Sequence, residues 1–224
     1  MGVQVKICGV TTGEAADAAI RARADFLGLV FHPASPRHLA PEQAAALAAR
    51  AKGAVRLVAL LVDPADEAVS AAVSAARPDF LQLHGGEAPA RVAEIRAKFG
   101  LPVIKALAVA DIADLAQVPI YEDAADMLLF DAKAPAQASR PGGHGAAFDW
   151  RMLRGRRFRK PWLLAGGLDV GNVARALATA EAPGVDVSSG VESAPGVKDA
   201  EMIRAFVEAA KNARFASQTT ETPA

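Results

Sequence analysis

The feature that most constrains this chain is an alternation of short apolar runs with longer alanine-rich stretches, which continues from residue 3 to residue 213. Short apolar runs bounded by turn residues are typical of buried strands, and the longer stretches have the spacing of amphipathic helices. The runs lack polar alternation, as expected of parallel strands that are covered on both faces. Eight strands are predicted, at residues 3–7, 26–30, 55–62, 79–83, 102–107, 127–130, 162–165 and 185–187.

The stretches between the strands predict the crossover helices that parallel strands require. These helices are predicted at residues 12–23, 41–51, 66–76, 88–99, 111–116, 149–153, 171–180 and 199–213. Eight strand–helix units favour a closed (βα)8 TIM barrel, because no strand has the features of a sheet edge. The alternative is a doubly wound open sheet. We expect one domain over residues 1–215 and a disordered polar tail over 216–224.

Composition narrows the classes of function. The chain has 25 Lys plus Arg and 25 Asp plus Glu, so its formal net charge is zero and nothing indicates a nucleic-acid partner. Its single cysteine forms neither an internal disulfide nor a multi-cysteine zinc site, and no cluster has metal-ligand spacing. No apolar run approaches the roughly 20 residues of a membrane span, and no signal-peptide pattern is present. We therefore expect a soluble cytoplasmic protein, a monomer or homodimer, with a small-molecule substrate.

Residues that can do chemistry follow the predicted strands, at the end where (βα)8 barrels carry their active sites. Cys8 follows the first strand, Arg37 the second, His84 the fourth and Asp131 the sixth. Each has an ordinary structural interpretation as well, since a buried cysteine is most often a small apolar residue and a strand-end aspartate often organises a turn. Their shared location favours a site in which Cys8 and Asp131 exchange protons with a ligand.

Glycine-rich stretches follow the last three strands. "LAGGL" and "SSGVE" leave bare backbone at two adjacent strand ends, where amides and helix N-termini can hold a phosphate. "RPGGHGAAFDW" has the length and position of a loop that closes over a ligand. Together they predict a phosphorylated small molecule. Lys105 in the fifth strand leaves open a lyase or aldolase that acts through a Schiff base, and a non-catalytic phosphate-ligand binding protein is a further alternative.

A set of stretches in one order resembles the phosphoribosylanthranilate isomerase family of tryptophan biosynthesis. They are "KICGVT", "GLVFHPASPRHL", "LLVDP", "LQLHGGE", "LLFDAK", "GGHGAAFDW", "LAGGLDVGNV" and "GVDVSSGVESAPGVKD", and they run from residue 5 to about residue 206. The resemblance implies a (βα)8 barrel that needs neither metal nor organic cofactor. It also implies an Amadori rearrangement of N-(5-phosphoribosyl)anthranilate to 1-(2-carboxyphenylamino)-1-deoxyribulose 5-phosphate.

The resemblance also implies roles for individual residues. Cys8 would be the general base that takes a proton from the sugar carbon beside the imine. Asp131 would be the general acid that protonates the ribose ring oxygen, and Arg37 would pair with the anthranilate carboxylate. His84 would have an organising role. The phosphate would be bound by the amides of Gly143, Gly145, Gly166, Gly167, Ser189 and Gly190.

Overall fold

The computed structural model describes residues 2–133 and 147–213. Eight parallel strands close into a barrel in chain order, with the last strand paired to the first. The strands are β1 (Gln4–Cys8), β2 (Phe26–Val30), β3 (Arg56–Leu61), β4 (Phe80–Leu83), β5 (Val103–Val109), β6 (Met127–Ala132), β7 (Trp162–Leu164) and β8 (Gly184–Val187). The predicted (βα)8 barrel is confirmed, and the open doubly wound sheet is wrong.

Helices follow most of the strands, and local sequence sets their ends. The Thr12 hydroxyl accepts from the backbone nitrogen of Ala15 and caps the first helix, while Gly100, at φ 64°, ends the fourth. The α-helices are α1 (Gly13–Arg21), α2 (Pro41–Ala51), α3 (Asp66–Ala76), α4 (Pro89–Phe99), α5 (Val118–Ala124), α6 (Val173–Ala180) and α7 (Ala200–Asn212). Short 3-10 helices span Ile112–Gln117, Trp150–Leu153 and Ser189–Val191.

Two parts of the predicted order need correction. The stretch at 111–116 is a 3-10 helix, and α5 follows it directly, although the sequence pattern does not predict α5. An antiparallel hairpin of β9 (Glu192–Ala194) and β10 (Val197–Lys198), also not predicted, follows β8 and turns at Gly196, whose φ is 84°. The other predicted elements agree with the structure to within two residues at each end.

Alternate residues of each strand face either the helices or the inside of the barrel. In β2, Leu27 and Leu29 pack toward the helices, whereas Phe26 belongs to the apolar layer that fills the barrel. Higher in the interior, Cys8 packs with Val30 and Leu60. The interior is therefore a packed core that supports the C-terminal ends of the strands from below.

At the opposite, N-terminal face, aspartates tie neighbouring strands together. Each aspartate directly precedes an even-numbered strand, and its carboxylate accepts from a backbone nitrogen at the start of the strand before. The pairs are Asp25 with Val5 (2.7 Å), Asp79 with Leu57 (2.7 Å) and Asp126 with Val103 (2.9 Å). Polar residues at this end of a barrel serve stability, since the chemistry lies at the other end.

Replacing Asp79 tests the strength of these ties. Asp79→Ala leaves the backbone N–H of buried Leu57 without its acceptor, so we expect the free energy of unfolding to fall by about 1–2 kcal/mol in urea titrations. The control is Asp123→Ala, which removes an exposed carboxylate paired with Arg159 and should change stability by less than about 0.5 kcal/mol. Equal effects of the two substitutions would contradict the assignment.

Candidate active site

The four side chains that the sequence singles out lie at one end of the barrel. Cys8 is the last residue of β1, Asp131 is the last but one of β6, His84 directly follows β4, and Arg37 lies in the loop between β2 and α2. Cys8, Arg37 and Asp131 are buried, and His84 is half-buried. Because β1 and β6 are separated by two strands on one side and four on the other, the thiol and the carboxyl face each other across the mouth of the barrel.

Asp131 is held by two neighbours. The backbone nitrogen of Ala132 donates to Oδ1 at 2.8 Å, and Nε2 of His84 lies 3.1 Å from Oδ2. Gln82 of β4, two residues before His84, places its amide Nε2 2.8 Å from His84 Nδ1. The imidazole thus bridges Gln82 and the carboxyl group of Asp131. The organising role that the resemblance implies for His84 thus has a geometric counterpart, its contact with Asp131.

The loop that carries His84 is anchored by a buried ion pair. The Glu87 carboxylate accepts from the backbone nitrogens of Asp63 (2.8 Å) and Gly85 (3.0 Å) and from Nζ of Lys105 (2.5 Å). Lys105 also donates to the carbonyl of Gly85 at 2.7 Å. Its neighbours Ile104 and Ala106 fill the barrel, so Lys105 points outward, away from the site. Its pairing with Glu87 on the outside of the barrel argues against a Schiff-base role for Lys105.

A second ion pair lies below Cys8. Lys6 and Cys8 are two residues apart on β1, so their side chains face the same side of the sheet. The strand register places Lys6 directly opposite Asp186 of β8, and its Nζ donates to Asp186 Oδ1 at 2.9 Å. Gly28, paired with Cys8 on β2, leaves the necessary space, because a Cβ there would stand 3.1 Å from Cys8 Sγ and 3.2 Å from Lys6 Nζ.

Arg37 is engaged by a residue to which the sequence analysis assigned no role, Glu192. Nε and Nη2 of Arg37 donate to the two carboxylate oxygens of Glu192 at 2.6 and 2.7 Å, and Lys198 donates to Oε1 at 2.5 Å. Both partners come from the β9–β10 hairpin. The stretch "SSGVESAPGVKD" contained them, but only the fold shows that they face Arg37. This bidentate pairing leaves Nη1 of Arg37 without a partner among the described residues, so Nη1 can donate to a ligand.

Burial and charge act against each other in this cluster. Burial raises the pKa of the Cys8 thiol above its ordinary value, by more than the nearby Lys6 and Lys198 ammonium groups lower it. Burial also lowers the pKa of Lys198, even though Glu192 opposes this. Burial alone would raise the pKa of Glu192, but hydrogen bonds and charges from Arg37 and Lys198 bring it below its ordinary value. Glu192 is therefore a carboxylate, and at neutral pH the free thiol of Cys8 is mostly protonated.

The glycines after β7 and β8 make a close backbone surface beside Asp131. Gly166 and Gly167 adopt φ of 87° and 63°, and a Cβ on Gly166 would stand 2.6 Å from the nitrogen of Ala132. A Cβ on Gly190 would stand 1.9 Å from the carbonyl oxygen of Leu168, so only glycine lets the two loops meet. Ser189 begins the short 3-10 helix after β8. The two remaining glycines of the predicted phosphate site, Gly143 and Gly145, lie outside the described residues.

Residues 2–133 and 147–213 contain neither a metal-binding cluster nor a membrane-spanning helix. In these ranges no group of three or more His, Cys, Asp or Glu side chains is arranged to hold a metal ion. Over the same ranges, every helix is too short or too polar to cross a membrane.

Comparison with known proteins gives consistent matches along the chain. The family model described as N-(5'-phosphoribosyl)anthranilate (PRA) isomerase matches residues 5–209. An N-(5'-phosphoribosyl)anthranilate isomerase from Rhodopseudomonas palustris is 56% identical over 211 residues, 94% of this chain and 97% of the relative. One from Paramagnetospirillum magneticum is 52% identical over 214 residues, 96% and 100% of the two chains.

Solved structures agree with the sequence matches. The phosphoribosyl anthranilate isomerase of Thermotoga maritima superposes with a TM-score of 0.83 at 35% identity, over 93% of this chain and 98% of that one. A 2-keto-3-deoxy-6-phospho-gluconate aldolase of Zymomonas mobilis has a TM-score of 0.63 at 17% identity, over 96% and 95% of the two chains, and this likeness shows the fold alone.

The role of Lys105 as an anchor makes a prediction for stability. Lys105→Met leaves the buried Glu87 carboxylate without its cation. We therefore expect the free energy of unfolding to fall by about 3–5 kcal/mol in urea titrations. The double variant Lys105→Met/Glu87→Gln removes both charges and should recover part of that loss. Borohydride treatment of the native protein with a carbonyl ligand should leave Lys105 unmodified, and a trapped secondary amine at this position would show that it is a nucleophile.

Proposed function

The chain belongs to the N-(5'-phosphoribosyl)anthranilate isomerase family, and we propose that Cys8 and Asp131 are the acid–base pair of its reaction. The protein is an isomerase of tryptophan biosynthesis that converts N-(5-phosphoribosyl)anthranilate to 1-(2-carboxyphenylamino)-1-deoxyribulose 5-phosphate. The observation that carries the proposal is the position of the single thiol, across the barrel mouth from a carboxyl that His84 and Ala132 hold in place.

Ring opening is the step assigned to Asp131. The protonated carboxyl gives its proton to the ribose ring oxygen while the bond from that oxygen to the anomeric carbon breaks, and the aniline nitrogen supplies the electron pair that forms the iminium ion. Oδ1 accepts from the backbone of Ala132 and Oδ2 lies against His84, so the carboxyl is held at both oxygens. His84 contacts Oδ2 and fixes the direction in which the carboxyl faces.

Removal of a proton from the neighbouring sugar carbon is the step assigned to Cys8. The thiolate takes this proton, the electrons of the carbon–hydrogen bond move toward the iminium nitrogen, and an enolamine results. The enolamine becomes the ketose when the former anomeric carbon gains a proton and the hydroxyl of the neighbouring carbon loses one. Cys8 stands at the barrel end where Ser188 Oγ donates to its carbonyl at 3.1 Å, which fixes the backbone under the sulfur.

The ligand carries two anionic groups, and the site offers separate partners for them. One solved isomerase of the family holds reduced 1-(o-carboxyphenylamino)-1-deoxyribulose 5-phosphate. By analogy, the carboxylate of the anthranilate ring would accept from Nη1 of Arg37. The phosphate would lie on the amides of Gly166, Gly167, Ser189 and Gly190, with Gly143 and Gly145 as proposed contributors.

For the organisation of the protein beyond the site, we propose one domain over residues 1–215, a cytoplasmic location and a monomer or homodimer. The tail predicted over residues 216–224 lies outside the described residues. The isomerase of Thermotoga maritima is described as dimeric, and monomers have been generated from it. Sedimentation equilibrium of the purified chain distinguishes them.

Removing either acid–base group should abolish most turnover. Cys8→Ala and Asp131→Asn should each lower kcat by at least about 10²- to 10⁴-fold, the usual contribution of one proton-transferring group. The decay of phosphoribosylanthranilate fluorescence measures turnover, and circular dichroism verifies folding. Asp123→Asn, which alters an exposed carboxylate on α5, is the control and should keep wild-type kcat. A variant of Cys8 or Asp131 with more than a tenth of wild-type activity would disprove its assigned role.

Arg37 should make the enzyme prefer a substrate that carries the ring carboxylate over an analogue that lacks it. The wild-type enzyme should process the analogue made from aniline, which lacks the carboxylate, with kcat/KM lower by about 10- to 100-fold, the value of one charge-assisted hydrogen bond. Arg37→Met should lose activity on the natural substrate yet show little further loss on the analogue. Equal losses on both substrates would indicate that Arg37 serves only to hold Glu192 and the hairpin.

A further inference from the structure

We propose that Lys6 is the counter-ion of the Cys8 thiolate and that Asp186 is the positioning residue that holds the Lys6 ammonium below the sulfur. The inference rests on the proposed role of Cys8 as general base, because a thiol can accept a substrate proton only after it has lost its own. It explains how the protein makes that loss possible inside a barrel.

Three geometric facts place the ammonium at the sulfur. Lys6 is fully buried, and it shares with Cys8 the face of β1 that looks into the barrel. The point that a Cβ of residue 28 would occupy is within 3.2 Å of both Lys6 Nζ and Cys8 Sγ, so the two atoms flank one small space that Gly28 leaves open. Asp186 takes one of the three N–H donors of the ammonium, which leaves donors for the sulfur.

A buried lysine at this position has no structural necessity. Apolar residues fill the neighbouring interior positions, such as Phe26 beside Lys6 in the register. Replacing a buried ion pair by apolar residues of similar volume is often neutral or stabilising. The Lys6–Asp186 pair therefore calls for an explanation other than stability, and the side chain next to it that needs a charge is Cys8.

The charged groups around Cys8 come from every element packed near it. Lys6 lies on β1, Asp186 on β8, Glu192 and Lys198 on the hairpin, and Arg37 on the loop after β2. These are three cations and two carboxylates, all buried or nearly so. The cluster is thus one negative charge short of neutrality when Cys8 is a thiol, and the thiolate supplies that charge.

The opposing influences of the two partners give the proposal its test. Of the neighbouring charges, Lys6 is the strongest that lowers the pKa of Cys8, whereas Asp186 raises it and burial raises it most. Removing the cation and removing the carboxylate should therefore change the thiol in opposite directions. A general loss of packing would change both variants in the same direction.

The thiolate can be measured directly, because Cys8 is the only cysteine of the chain. Absorbance at 240 nm is followed from pH 7 to pH 11 in the full chain without substrate, and the spectrum of Cys8→Ala is subtracted to remove the signal of Tyr121. The rate of alkylation by iodoacetamide is an independent readout. Lys6→Met should lower the thiolate fraction and the alkylation rate at pH 8 by about tenfold or more, as the loss of a charge-assisted hydrogen bond implies.

Asp186→Asn keeps an acceptor oxygen for Lys6 Nζ but removes the negative charge that raises the pKa of Cys8, so it should raise the thiolate fraction at the same pH. The double variant Lys6→Met/Asp186→Asn buries no unpaired charge, so it serves where Lys6→Met fails to fold, and its thiolate fraction should lie below that of wild type. Lys198 lowers the pKa of Cys8 less than Lys6 does, so Lys198→Met is the comparison variant and should lower the thiolate fraction less than Lys6→Met. The rise of kcat/KM with pH should move to higher pH in Lys6→Met.

A thiol that titrates identically in wild type, Lys6→Met and the double variant overturns the proposal, even if turnover is lost. A change of the same sign in Lys6→Met and Asp186→Asn overturns it as well. The proposed function fails by a different result, the survival of turnover in Cys8→Ala. The two proposals can therefore be rejected separately.

Discussion

The pairing of β1 with β8 closes the barrel, and the chemistry depends on the register of that pairing. It sets Lys6 against Asp186 and brings Ser188 to the carbonyl of Cys8. A shift by one residue would turn the side chains of the shifted strand to the opposite face of the sheet, so Lys6 would lose Asp186 and Cys8 would leave the site. Both faces of β1 are buried, so the shift is opposed mainly by charge: it would move the Lys6 ammonium away from Asp186 and among the apolar side chains that face the helices, where Val5 and Ile7 now pack. The Lys6–Asp186 pair thus helps to fix the position of the proposed general base.

Each side of the site is supported by a buried glutamate that binds a lysine. Glu87 joins Lys105 to the loop before α4 and so fixes the side on which the proposed general acid stands. Glu192 joins Lys198 and Arg37 and fixes the side of the thiol. Both carboxylates also accept from backbone nitrogens of glycine-rich turns, so each one organises a loop and compensates a buried cation at once. Rigid support of this kind is what a pair of proton-transferring groups requires, since small displacements reduce the rate strongly.

The barrel could be predicted from the sequence because the hydrophobic periods of strands and helices can be recognised within spans of a few residues. It did not predict α5, whose seven residues include Pro119 and follow a 3-10 helix without a break. The partners of the reactive groups were beyond local reasoning for a different reason. Arg37 and Glu192 are separated by 155 positions in the sequence, and Lys6 and Asp186 by 180. Spacing along the chain has no information on such pairs, because only the closure of the barrel brings them together. The case of Lys105 is different: its outward direction follows from the alternation of β5, with Ile104 and Ala106 inside the barrel, but its residue type alone does not give that direction.

A base with a raised pKa is consistent with proton abstraction from carbon. Burial raises the pKa of Cys8, so little thiolate is present at neutral pH, but the thiolate that does form is a stronger base than one of ordinary pKa. The rate depends on the product of the thiolate fraction and the reactivity of that base. Burial also excludes water, which strengthens the field of the nearby cations on the charge that remains. Without those cations the fraction of Cys8 present as thiolate would decrease further. The higher basicity of the remaining thiolate could not compensate for that loss, because the rate rises only partially with basicity in a Brønsted relation. A cluster that has one cation in excess around a buried thiol is therefore better suited to this chemistry than either an apolar pocket or an exposed cysteine.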